Sequence, residues 1–143
     1  MHADAHQRLV NLLDLELEAA RQLAATLQSE RSALTGTAPD AVTAQAAIKT
    51  ECLHRIEALE TERRNLCDAA NVTMPSPPYL AQWQALMEHI TACRAANLVN
   101  GYIINVRQAQ VNQLINLVRG GAPVTYGPQG KTYSRAQRAL ATA

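Results

Sequence analysis

Phenylalanine is absent from the 143 residues, and the aromatic complement is five side chains: Tyr79, Trp83, Tyr102, Tyr126 and Tyr133. Sandwich and barrel cores are built largely from aromatic and β-branched residues, so β architectures are excluded. No apolar run approaches the roughly 20 residues needed to cross a bilayer. Charges run through the N-terminal segment, so neither a membrane span nor a secretory signal is expected. Cysteine is scarce too, with Cys52, Cys67 and Cys93 forming an odd set without a C-x-x-C pair. Cys52 and Cys67 share one expected helix and lie about 22 Å apart along it, beyond disulfide reach. Free thiols fit a reducing cytoplasm.

Acidic residues are missing from the C-terminal part. Residues 1–88 carry seven basic and twelve acidic side chains, whereas residues 89–143 carry six basic and none acidic. That pattern fits helices that neutralise one another, or a basic region that meets nucleic acid, lipid head groups or an acidic protein surface.

What is abundant is helix-forming: Ala, Leu, Arg, Gln and Glu supply 73 of the 143 residues, which predicts an all-α chain. The length fits one domain, residues 1–143. Leu9, Leu13, Ala20, Leu23, Leu27 and Leu34 recur every three or four residues and predict a helix over 4–34, its stripe interrupted by Glu16 and Glu30. Thr35-Gly36 stops it, and Pro39-Asp40 opens a second helix over 39–70 with Val42, Cys52, Ile56, Leu59, Leu66 and Ala70 inward. Three prolines break the chain over 71–78. Ser76 and Pro77 then suit the start of a third helix over 77–119, about 63 Å long, with a stripe of Trp83, Met87, Ile90, Asn97, Gly101, Ile104, Val111, Ile115 and Val118 near 3.5-residue spacing. The expected architecture is an elongated three-helix antiparallel bundle, a helical hairpin plus one long C-terminal helix. Gly120-Gly121-Ala122-Pro123 ends it, and residues 120–143 read as a mobile basic tail.

Catalytic constellations are sparse, so no enzyme is expected. Glu51 and His54 have the Glu-x-x-His spacing of di-iron bundles, but there is one copy where such sites need two and further carboxylates. His2 and His6 are four apart at a fraying terminus with only Asp4 nearby, which reads as solvated. No Ser, Thr or Cys has an evident base, and no Gly-rich loop joins a strand to a helix. Metal and cofactor are therefore both expected to be none. Tyr126-Gly127-Pro128-Gln129-Gly130 reads as a turn presenting a tyrosine, a binding handle.

The most informative cluster is Asn97, Asn100, Gly101 and Ile104, which spacings of three and four place on one face of the long helix. Gly101 costs about 1 kcal/mol against Ala in a helix interior, so something compensates, most simply another backbone close by. Two readings stand: the amides fix register inside the chain's own bundle, or they line a groove for a partner helix.

At these residues the sequence resembles the FlgN family of flagellar export chaperones. Gln82-Trp83-Gln84-Ala85-Leu86 matches the family's W-Q-x-[IL], and Asn97-Leu98-Val99-Asn100-Gly101-Tyr102-Ile103-Ile104 matches N-x-x-N-G-x-[IL]-[IL]. Lys49, Leu53, Ile56, Leu59 and Arg63-Arg64 resemble the second-helix pattern, and Thr125-Tyr126-Gly127-Pro128-Gln129-Gly130 resembles the C-terminal Y-G-x-x-G. The resemblance implies a cytoplasmic chaperone without catalysis. It would bind the amphipathic termini of the hook-filament junction proteins FlgK and FlgL and deliver them to the flagellar type III secretion apparatus. It would dock there transiently, without membrane insertion, on the export gate protein FlhA. Combined with the stripe, it points to Trp83, Ile90, Asn97, Asn100, Gly101, Ile104 and Val111 as client-binding, and it makes Tyr126 and Gly127 the gate-docking segment. No nucleic acid partner is implied; the competing reading is a coiled-coil scaffold whose basic tail binds nucleic acid or anionic lipid. A stripe longer than its intramolecular cover also predicts that the free chain pairs as a homodimer. The tail after Gly130 matches no pattern.

Overall fold

The computed structural model describes residues 2–120. Among them there is no strand. Three helices follow one another, α1 (His2–Thr35), α2 (Pro39–Ala70) and α3 (Leu80–Val118), with a 3-10 turn over Pro77–Tyr79 in front of α3. The tail beyond Gly120, with Tyr126 and Gly127, lies outside the described residues.

The helix ends follow from their local chemistry. α1 closes at Gly36, whose N–H donates to the Ala33 carbonyl at 3.2 Å. The left-handed stop belongs instead to Asn71 after α2, at φ 54° and ψ 41°. There the Val72 N–H donates to the Cys67 carbonyl at 2.9 Å, and after glycine, asparagine tolerates that backbone best. The third helix was expected from residue 77, but Pro77 and Pro78 bring no N–H, and the chain opens with a 3-10 turn closed by the Tyr79 N–H on the Ser76 carbonyl at 2.9 Å. Ser76 holds the N-cap position, yet its side chain makes no capping bond. At the far end Gly120 takes φ +66°, the conformation that a glycine stop supplies at no steric cost.

The chain divides into two compact units, residues 1–97 and 98–143. α3 contributes to both. Within the first unit the side-chain pairs fix the helix directions. Glu16 meets Arg63, Thr26 meets Cys52 and Glu30 meets Lys49, one number rising as the other falls, so α1 and α2 are antiparallel. His6 meets Tyr79 and Ala20 meets Cys93 at the same offset of 73, so α1 and the first part of α3 are parallel.

The core of this unit is aliphatic. Leu9, Leu13, Ala20, Cys67, Tyr79 and Leu86 form one buried cluster, with Trp83, Met87 and Ile90 packed on it; Leu23, Leu27 and Cys93 form a second, with Cys52, Ile56 and Ala96. Leu9, Leu13, Leu27 and Leu86 are almost wholly buried, so truncating one to Ala should cost about 2–5 kcal/mol. The small Ala20 lets α3 come close enough for the Cys93 thiol to donate to its carbonyl at 3.5 Å. All three cysteines are free. His2 and His6 are exposed, as the sequence suggested, and His6 in addition places its Nδ1 2.9 Å from the Tyr79 hydroxyl.

Candidate functional site

Two polar ties cross the aliphatic core of the first unit. In one, Arg63 Nε on α2 donates to Glu16 Oε1 on α1 at 2.6 Å, and the Arg63 guanidinium lies 4.9 Å from the centroid of the Trp83 ring on α3. Both charged residues are buried. Burial pushes the Glu16 carboxyl above its ordinary range, and the pull of Arg63 only partly offsets that. In the other, Lys49 Nζ on α2 lies 3.0 Å from Glu30 Oε2 on α1 and donates to Asn97 Oδ1 on α3 at 3.2 Å. Beside it Arg31 Nη2 donates to the Ala96 carbonyl at 3.3 Å. The acids that interrupt the α1 stripe are thus buried anionic halves of two ion pairs, one with the buried Arg63 and one with the half-buried Lys49.

These ties absorb part of the sequence-derived site. Trp83 is half-buried over Arg63, and Asn97 is engaged by Lys49. Ile90 packs on the core and lines, with Trp83, Leu86 and Met87, an open cleft of about 430 Å³ between α3 and the Ile56, Glu60, Arg63 and Arg64 side of α2. Glu51 and His54 are both exposed.

In the second unit, Asn100 is fully buried, Ile104 half-buried and Val111 exposed. A Cβ placed on Gly101 would meet no atom within 4 Å, so nothing among the described residues uses the close approach that the glycine permits.

That part of α3 is built the reverse of an ordinary amphipathic helix. Among the described residues, every Val, Leu and Ile after Ile104 (Val106, Val111, Leu114, Ile115, Leu117 and Val118) is exposed, and so are Leu98, Val99 and Tyr102. The partly covered positions beyond Ile104 are carboxamides: Asn105, Gln108, Asn112 and Asn116. Asn105 Oδ1 is buried without a hydrogen-bond partner among the described residues. Exposed apolar surface on this scale is characteristic of interaction sites.

The sequence reading missed Glu16, Glu30 and His6 as structural partners. A signal for the acids was present: they stand fourteen residues apart in α1, and Lys49 and Arg63 stand fourteen apart in α2. No helix among the described residues is long and apolar enough to cross a membrane, and no group of three His, Cys, Asp or Glu side chains among them could hold a metal. Compared with known families, the chain matches the family model described as FlgN protein over residues 1–134. No curated protein and no solved structure matches it.

Proposed function

The chain belongs to the FlgN family of flagellar export chaperones, and we propose that it is a cytoplasmic chaperone for hook-filament junction proteins of the FlgK and FlgL type. It binds their amphipathic termini and delivers them to the flagellar type III secretion apparatus. The observation that carries this reading is the reversed second part of α3, whose aliphatic side chains beyond Ile104 are all exposed as far as Val118, about four turns. An amphipathic client helix lays its own apolar face on such a surface by the helix-in-groove mode, and its carboxamide neighbours supply polar contacts at the edge. Asn100, Gly101, Ile104 and Val111 belong to this surface, whereas Trp83, Ile90 and Asn97 are engaged within the first unit by Arg63, the aliphatic core and Lys49. In the free state a second copy covers the same face.

Docking on the export gate FlhA is assigned to Tyr126 and Gly127 by family resemblance. No catalytic step is part of this function. The test is co-expression with the C-terminal segment of a FlgK-type protein: a soluble complex that survives size exclusion, and is lost on Val111→Asp with Leu114→Asp, supports the reading. Binding that these changes leave intact would place the client elsewhere.

A further inference from the structure

We propose that the two polar ties act as a register key for α3, with Lys49 as the positioning residue that sets which stretch of the helix is offered to the client; this rests on the client reading above. The ties share one chemical order: a carboxylate from α1, a cation from α2, and from α3 a group that attracts cations, a π face or an amide oxygen. They also share one spacing. From the first tie to the second, α1 advances from Glu16 to Glu30, α2 retreats from Arg63 to Lys49, and α3 advances from Trp83 to Asn97, fourteen residues in each helix. Midway, seven residues on, stand Leu23, Ile56 and Ile90, all apolar. The layers therefore run polar, apolar, polar at heptad intervals.

Aliphatic layers at heptad spacing do not by themselves choose a register, because sliding one helix by seven residues puts another aliphatic in the same place. In α3 that slide would bring Ile90 to the Glu16–Arg63 level and Ile104 to the Glu30–Lys49 level. Neither can accept from a cation, so Arg63 would lose the Trp83 face and Lys49 its amide, and at the Glu16–Arg63 level, where neither charged side chain is more than 8% exposed, water is poorly placed to replace the loss. Buried ion pairs are poor sources of net stability but effective penalties against wrong arrangements. The α1–α2 pair already has its register set by a short turn. α3 arrives after the longer connection over 71–76 and is the helix that needs a key.

A one-heptad slide moves α3 by about 10 Å. Asn97 is the last residue of the first unit, and the exposed aliphatic face begins at Leu98. Lys49 therefore fixes where the anchored part of α3 ends and the offered part starts.

The experiment replaces the second tie by aliphatics, Glu30→Leu with Lys49→Met and Asn97→Leu, and reads three quantities. Trp83 is the sole tryptophan, so its emission reports the register at the other tie, fourteen residues away. Melting temperature reports stability, and titration with a FlgK C-terminal peptide reports the client surface. The expected result is a melting temperature unchanged or raised, a Trp83 emission shifted toward that of exposed indole, and peptide affinity down about tenfold, as a misplaced helix face would give. The charge-swapped variant, Glu30→Lys with Lys49→Glu, keeps a pair, and the Asn97 amide can turn to donate; it should restore emission and affinity. Should the swap fail to restore either, the key is wrong. An unshifted Trp83 emission, or affinity that falls only in step with melting, would also overturn it. A wild-type chain that ignores the peptide would defeat the client reading alone, while the Trp83 emission still decides the register.

Discussion

Arg63 serves two helices at once: its Nε is 2.6 Å from the Glu16 carboxylate while its guanidinium carbon lies over the Trp83 ring, 4.9 Å from the centroid. All of this happens in a layer where neither charged side chain is more than 8% exposed. Removing one partner should be worse than removing both. Arg63→Met leaves a buried carboxylate unpaired and should cost about 3–5 kcal/mol in urea unfolding, whereas Arg63→Met with Glu16→Leu should fall within about 1 kcal/mol of wild type. A double variant as unstable as the single would mean that the pair itself stabilises the fold.

The same carboxylate sets a pH response. Burial raises Glu16 above its ordinary value of 4.5 despite Arg63. Between 4.5 and that raised value, the folded chain holds a proton that the unfolded chain releases. The Glu16 contribution therefore favours folding increasingly as pH drops from neutral into this window. Glu16→Gln removes it. The stability of wild type relative to Glu16→Gln should grow as pH falls from neutral toward the ordinary carboxyl value of 4.5. A gap that stays constant or narrows would reverse the assigned direction.

Gly101 separates fold from function. With open space above its Cα, Gly101→Ala should raise helix stability by about 0.5–1 kcal/mol, a gain that chemical unfolding can resolve. Gly101→Leu should leave helicity nearly unchanged yet weaken binding of the FlgK-type peptide, because the bulk occupies the surface where the client backbone comes close. Collapse of helicity in Gly101→Leu would assign the glycine to the chain's own packing.

The thiols should react in two classes. Burial pushes Cys67 and Cys93 up from the ordinary thiol range, and in Cys67 the nearby Arg63 only partly opposes it; Cys52 is half-buried. A disulfide reagent at neutral pH should therefore modify Cys52 first and the other two only as the chain unfolds. Equal rates for all three in the native protein would contradict the packing of α3 on α1 at Ala20.

Gly120, Gly121 and Pro123 separate Tyr126 from α3 in the sequence, so the two proposed partner surfaces should come apart by mutation. Tyr126→Ala should weaken binding to the FlhA cytoplasmic domain by about 2 kcal/mol, the scale of an interface hot spot, while leaving the FlgK-type peptide titration unchanged. Equal loss in both titrations would remove the tyrosine from the docking role.

Much of the fold was legible because helix boundaries are written locally. Thr35-Gly36, Pro39 and the prolines of 75–78 place every break within a few residues, and α2 runs over the expected 39–70. The polar ties were less legible. Glu16 and Glu30 read as defects in a stripe because their partners lie 47 and 19 residues away, and pattern reading along one helix cannot see a cation on the next. Asn97 was open to two readings, register or partner groove, and its bond to Lys49 engages it within its own unit. The outward face beyond Ile104 was hidden for another reason: periodicity reports that apolar residues share a side, but not whether anything in the chain covers that side.

The fixed offset between α1 and α3 bears on how the chain is made. α1 waits for partners that lie 73 residues downstream, and at about 5–20 residues per second a ribosome needs about 4–15 s to reach them. During that interval α2 is the only cover that α1 can find. The charged partner of Glu16 on α2 emerges well before Trp83, so the carboxylate is neutralised while its surroundings are still wet, and desolvation is completed only when α3 closes over the finished hairpin. Order of synthesis thus spares the nascent chain a stage in which Glu16 is dry and alone.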